Sequence, residues 1–275
     1  MSEPSFVDYR LQSNGVAVLT LNNPPLNLNT AVTLDKLLAA CRRIADDERV
    51  RVVVITGAGA RAFCAGSDIG EFAGVRADVV PRKLARENEA FTAIERLPMP
   101  VIAALNGATL GGGAEIALAC DIRIMDESAQ IGFPEVKIGV FPGSGGVFRL
   151  PRVVGAAKAY ELLYTGEMID AREAYRIGLA NRLAPAGAAL SAAIAFAETL
   201  AARPALALSL IRAGVRDSLN QTTAEAIERT LADSHRVFTG PDIEEGVEAF
   251  FSKRAPVFKA GRNSASNENT GGEPR

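Results

Sequence analysis

Residues 111–121 read GGGAEIALACD, three glycines ahead of a segment that is apolar except for Glu115. A carboxylate on the buried side of a helix is costly to desolvate unless it is paired or has work to do. Glycines let one stretch of backbone approach another closely, and the helix they open presents N–H groups with no internal partner. Such amides, at the positive end of the helix dipole, suit an anion or a polarised carbonyl oxygen. Gly112 and Glu115 are three residues apart and so share one helix face. Glu135 stands twenty residues further on, between GFP and VKIGVF. Carboxylates in partly apolar surroundings have raised pKa values, which fits them to proton transfer near neutrality. A second glycine-bearing loop, FCAGSD (63–68), can bring another backbone N–H opposite the first; two such donors make an oxyanion hole. Taken singly, each glutamate suits a salt bridge and each loop a tight turn. Their conjunction points to a site.

The remaining chemistry is narrowed by what the chain lacks. Its one histidine, His235, falls in a late helical segment remote from every glycine loop, which argues against a Ser–His or Cys–His nucleophile and against a His-rich zinc site. Cys41, Cys64 and Cys120 have no metal spacing and suit reduced thiols. The stretch GAGARA (57–62) matches the dinucleotide fingerprint G-x-G-x-x-A, but the glycine-rich residues after it do not open the helix that fingerprint needs. No phosphate loop of the G-x-x-x-x-G-K-[ST] kind occurs. Net charge is −2 and aromatic content 6%, with no tryptophan, so neither an electrostatic footprint nor a stacking surface for nucleic acid is visible. The N-terminus reads as neither signal nor transit peptide, and no apolar run approaches a membrane span. These features set the expectation of a cytoplasmic protein without nucleic-acid or membrane partners.

The elements that must position these residues are legible from periodicity. VAVLTL (16–21) reads as a strand, 30–45 as a helix with Thr30 as N-cap, and RVVVIT (51–56) as a strand buried on both faces. Residues 57–71 read as loop and 82–97 as an amphipathic helix ended by PMP. VIAAL (101–105) is a buried strand running into NGATLGGGAE; IRIM (122–125) and AQIGF (129–133) are short strands. From about Gly155 the pattern turns helical, with long Ala/Leu segments over 188–219 and 221–238. The fold class is therefore α/β first and all-α last. The expected division is a core over 1–200, a helical region over 201–260, and a polar tail over 261–275.

FCAGSDIGEF, NGATLGGGAE and FPEVKIGVFPGSGGVFRLPRVVG together resemble the enoyl-CoA hydratase/isomerase (crotonase) family, and the resemblance continues through ELLYTGEMIDAREAYRIGLANRL to EGVEAFFSKRAPVF. It implies a crotonase-like spiral of ββα units carrying the acyl-CoA site, with a C-terminal α-helical trimerisation region and assembly as a homotrimer or a hexamer of paired trimers. By that resemblance the backbone N–H groups of Ser67 and Gly112 hold the thioester oxygen, Glu115 and Glu135 are the catalytic acids, and Gly143 is a backbone donor near the catalytic water. Leu26, Ala62, Ala65, Gly66, Asp68, Ile69, Leu110, Gly111 and Pro134 fall where the family contacts substrate. Phe250 and Lys253 match residues that reach the coenzyme A of a neighbouring subunit. No metal and no separate cofactor is expected, coenzyme A being part of the substrate.

Two positions depart from the family. Ser67 stands where alanine or glycine is commoner, and only its N–H is expected to matter. Phe133 precedes Pro134 where many hydratases carry a polar side chain, which points to a more apolar or reshaped acyl pocket. The expected activity is hydration of a 2-enoyl-CoA to a 3-hydroxyacyl-CoA. Double-bond isomerisation, which needs only one of the two glutamates, is the runner-up; thioester hydrolysis or decarboxylation, and a non-catalytic RNA-binding member of the fold, stand behind it.

Overall fold

The computed structural model describes residues 5–72 and 74–263. In chain order, β1 (Phe6–Leu11) and β2 (Val16–Asn22) form a hairpin and lead into α1 (Ala31–Asp46). Thr30 caps that helix, its side chain accepting from the Thr33 amide at 3.2 Å. Next come β3 (Val52–Gly57), β4 (Ala62–Cys64), a π-helical turn at Val80–Leu84 and α2 (Ala85–Glu95). The strands β5 (Val101–Leu105) and β6 (Ala108–Leu110) then run into α3 (Gly112–Ala119). After them β7 (Ile122–Asp126) and β8 (Gln130–Gly132) lead to a 3₁₀ turn at Pro134–Ile138. The chain continues through α4 (Gly146–Val154), α5 (Ala156–Thr165), β9 (Met168–Asp170), α6 (Ala171–Arg176) and β10 (Arg182–Ala184). It finishes with α7 (Ala189–Ala201), α8 (Ala205–Asp217), α9 (Thr223–Phe238) and α10 (Pro241–Phe251).

The strands divide between two sheets. One has the order β1-β2-β3-β5-β7-β10 and is parallel from β2 onward; the other has the order β4-β6-β8-β9, with β4, β6 and β8 parallel. In each of the pairs β3–β4, β5–β6 and β7–β8 the first strand joins the large sheet and the second the small one. Repetition of that step is the expected ββα spiral. The large sheet is buried on both faces, as the unbroken RVVVIT run requires: Val53 and Ile55 face a core built with α1, α2 and α3, while Val52 and Val54 face α7 through Ala193 and Ala197.

Several expected boundaries move. The 57–71 loop contains β4, and NGATL contains β6; three-residue strands carry too little alternation to be seen in sequence. The helix expected over 82–97 is a π turn followed by α2. The long segment 188–219 breaks at Arg203–Pro204 into α7 and α8, since proline cannot donate within a helix. Residues 261–263, assigned to the tail, include Arg262, which is buried and donates to the carbonyls of Val50, Ala45 and Asp47; the rest of that tail, 264–275, lies outside the described residues. Arg212 of α8 is also buried. Its guanidinium donates to the carbonyls of Ile94, Glu95 and Leu97 and to the Asp121 carboxylate, placing a cation at the C-terminal end of α2.

Helix α3 passes close against β4. A Cβ on Gly113 would run into the Cys64 carbonyl, a backbone atom with no freedom to withdraw. Gly113→Ala is therefore expected to lower stability by about 2 kcal/mol or more in urea titration, the cost of overpacking against rigid backbone.

Candidate functional site

The parallel order β4-β6-β8 sets three loops side by side at the carboxyl ends of neighbouring strands, the usual place for a site in parallel sheets. Ser67 follows β4, Gly112 and Glu115 follow β6, and Glu135 follows β8. Sequence separations of up to 68 residues, from Ser67 to Glu135, thus collapse to adjacent strand ends.

The first two loops touch through backbone. Gly66 has φ +100°, and a Cβ there would lie 2.9 Å from the Leu110 carbonyl; Gly111 has φ +52°. Both conformations favour glycine, and the closeness leaves no room for a larger residue. Asn29 braces the turn from the far side, its amide donating to the Gly66 carbonyl at 2.9 Å and its carbonyl accepting from Asp68 at 3.1 Å. That pairing skips the Ser67 amide. Neither it nor the amide of Gly112, the first residue of α3, donates to another group among the described residues. Two unoccupied N–H donors on facing loops are what an oxyanion site needs.

The acids are close by. Glu115 is buried, and its Oε1 accepts from the amides of Ser144 at 2.9 Å and Gly146 at 2.8 Å. Burial pushes its pKa up to about 8; the Gly146 bond opposes this, and the nearby charges of Glu135 and Glu87 add to it. Glu135 is half-buried, with its Oε2 unpartnered and its Oε1 3.0 Å from where a Gly111 Cβ would stand. Burial raises it to about 7, against the pull of its own backbone amide and with a further push from Glu87. With both groups above the ordinary carboxyl range, the pair holds exchangeable protons at neutral pH.

Of the substrate residues named from sequence, Ala62, Ala65, Gly66, Asp68, Leu110, Gly111 and Pro134 lie in or beside these loops. Leu26 joins them, its carbonyl accepting from the Ala65 amide at 3.0 Å. Asp68 caps the 3₁₀ turn Ile69–Glu71 by accepting from Gly70, and leaves Ile69 60% exposed. Gly143 is in the loop beside Glu115, but the amides that reach that carboxylate are those of Ser144 and Gly146; the contact Gly143 makes is through its carbonyl, which accepts from Asn88 at 3.1 Å. Phe250 and Lys253 are not brought to the site within the chain: Phe250 is in the last turn of α10, which packs on α9, Lys253 follows that helix, and Phe250 is 77% exposed. Phe133 is fully buried in the core beneath Gly146.

Three residues at the site were missed in the sequence. Glu87 of α2 is a third buried carboxylate, accepting from the hydroxyls of Ser67 and of Ser144. Asn29 is fully buried, and its Nδ2 would be 2.8 Å from a Cβ on Gly112 and has no partner. Ser144 supplies both an amide to Glu115 and a hydroxyl to Glu87. Ser67 thus uses more than its N–H, contrary to expectation. No three His, Cys, Asp or Glu side chains among the described residues are placed to hold a metal ion, and no single described helix is long and apolar enough to cross a membrane.

Fold and site together define a ββα-spiral protein in which two carboxylates stand beside two backbone amides with no acceptor among the described residues. The enoyl-CoA hydratase/isomerase family model matches residues 11–261, and the chain belongs to that family. It is 40% identical over 249 residues to a probable enoyl-CoA hydratase of Bacillus subtilis (strain 168), an alignment covering 89% of this chain and 95% of the other. It is 38% identical to the crotonyl-CoA hydratase of Syntrophomonas wolfei, with 88% and 94% covered. The crystal structure of an enoyl-CoA hydratase from Bacillus anthracis superposes with a TM-score of 0.89 at 35% identity, covering 93% of this chain and 99% of that one.

A carboxyl group whose folded pKa lies above its unfolded one binds more protons in the folded state, so its contribution to stability falls as pH rises between the two values. For Glu135 that window runs from about 4.5 to about 7. Glu135→Gln is expected to melt higher than the parent at pH 8.5, by at least ~2 °C, with the difference vanishing near pH 4.5. Differential scanning fluorimetry across pH checks this.

Proposed function

We propose that the protein is a 2-enoyl-CoA hydratase. The observation that carries the reading is the pairing of two free amides, on Ser67 and Gly112, with two proton-exchanging glutamates on the next turns. The thioester carbonyl accepts from both amides, which stabilise the negative charge that builds on its oxygen as water adds. Glu115, whose Oε1 is anchored by two amides, takes a proton from water as the water oxygen bonds to C3. The C2–C3 π pair moves toward the carbonyl, and Glu135 gives a proton to C2. The proton gained by Glu115 then returns to Glu135, and the net change is addition of one water. No resident cofactor enters; coenzyme A arrives as part of the substrate.

Relatives named as hydratases and the presence of both acids support hydration over isomerisation. A coenzyme A thioester panel, followed by loss of the conjugated enoyl absorbance, tests the reaction and ranks acyl groups. Glu115→Gln and Glu135→Gln are each expected to lower hydration by roughly 10²–10⁴ while leaving coenzyme A affinity unchanged. Full activity in Glu115→Gln with none in Glu135→Gln would replace hydration by double-bond isomerisation.

We also propose that the region 201–260 assembles the chain into a trimer or a pair of trimers, acting in the cytoplasm. This region exposes Val215, Leu219, Ile227, Leu231, Phe238 and Phe250, large apolar side chains that a subunit interface would cover. In the assembly Phe250 and Lys253 would meet the coenzyme A of an adjacent subunit. Light scattering is expected to give a trimer or hexamer; a fully active monomer would defeat the assignment.

A further inference from the structure

Glu87 is buried to 2% exposure and has no cation within ion-pair distance among the described residues. The nearby cations are engaged elsewhere. Lys83, one turn earlier, holds Glu71 at 2.7 Å and the Asn29 carbonyl at 3.3 Å. Arg149 holds Glu95 at 2.7 Å and the Ser144 carbonyl at 3.1 Å. What satisfies Glu87 is a pair of hydroxyls from opposite sides: Ser67 Oγ donates to its Oε1, and Ser144 Oγ to its Oε2 at 2.5 Å. A carboxylate accepts both at once, one on each oxygen.

Those two serines are not incidental. Ser67 carries one of the free amides, and the Ser144 amide anchors Glu115. By gripping their side chains, one group fixes two backbone N–H vectors that come from loops with no contiguous chain between them. The other titratable groups that face it are Glu115, Glu135 and the fully buried Cys64.

We propose that Glu87 is a positioning residue, a charged clamp that locks the thioester-binding turn to the loop anchoring Glu115 and sets a third negative charge beside the two catalytic acids. The inference rests on the hydratase reading for the roles of Ser67 and Glu115, but its test is separable. Its charge acts on Glu115 and Glu135 by repulsion, favouring their protonated forms. Removing the charge lets both acids ionise at lower pH. A merely structural tie would not have that effect: glutamine can accept from one serine and donate to the other, keeping the link while losing the charge.

The experiment uses full-length protein. In Glu87→Gln, ¹³C carboxyl NMR titration of Glu115 and Glu135, assigned with the Glu115→Gln and Glu135→Gln variants, is expected to show both moving down, by about one pH unit. The pH profile of kcat moves with them. Ser67→Ala and Ser144→Ala each cut one arm of the clamp, and each is expected to lower kcat on the order of 10-fold. Unmoved carboxyl titrations in folded Glu87→Gln would overturn the proposal. Should Glu87→Gln not fold, the serine variants decide: normal kcat in both overturns it, and loss in both sustains it through the clamp. Carboxyl shifts in a protein whose parent hydrates no member of the thioester panel would sustain the electrostatic coupling and defeat the hydratase reading instead.

Discussion

The site depends on how closely two pieces of backbone can pass. Where α3 crosses β4, Gly113 lies against the Cys64 carbonyl and Gly66 against that of Leu110, with no space for a Cβ at either point. That proximity brings the Ser67 and Gly112 amides to face one another without an acceptor between them. Leaving two such donors unpaired is unfavourable for folding. The dense core on both sides of the large sheet supplies the compensation, and the β4-β6-β8 register fixes where the unpaired donors emerge. The acids then take their places by chain continuity: Glu115 stands one turn into α3, and Glu135 is the second residue of the turn that leaves β8.

How much of this was legible follows from what kind of signal each feature leaves. Glu115 was conspicuous because its neighbours are apolar, and the three glycines because a helix rarely begins with them. RVVVIT and VIAAL announced a sheet buried on both faces. The small sheet, which carries the site, was nearly invisible: β4, β6 and β8 are three residues each, too short for a period to show. Glu87 left no signal at all. It sits in ARENEAF, where a glutamate among charged neighbours reads as a solvated face, and only the packing of α2 on α3 turns it inward. Asn29 was hidden similarly within a loop rich in asparagine and proline. Phe133 was noticed as a departure from the family, but its full burial beneath Gly146 left no separate signal in the sequence.

Electrostatics and stability pull against each other here. Glu87, Glu115 and Glu135 form a cluster of carboxyl groups with no cation among the described residues paired to Glu87 or Glu115, and burial raises the pKa of Glu115 and Glu135. The fold tolerates this by meeting Glu115 with backbone N–H groups and Glu87 with hydroxyls. Arg149 and Arg212 hold the far end of α2 through Glu95, the Ile94 carbonyl and the Leu97 carbonyl, so the helix bearing Glu87 is pinned at the end away from the acids. Arg149 also reaches the Ser144 carbonyl, but its charge is paired with Glu95 and not with Glu87 or Glu115.

On the proposed reading the anion hole is made of peptide N–H groups, and this changes how the molecule responds to sequence drift. Side-chain replacement leaves a peptide donor intact, so a conventional alanine scan would register the carboxylates and pass over half of the catalytic apparatus. The vulnerable genetic targets are the glycines that hold the two strands of chain together, where any added carbon is felt as a shape error. Replacing exposed side chains such as Val80 and Phe141 likewise leaves those peptide donors in place. In a lineage built this way the hydrogen-bond donors are inherited with the backbone itself, whatever side chains surround them.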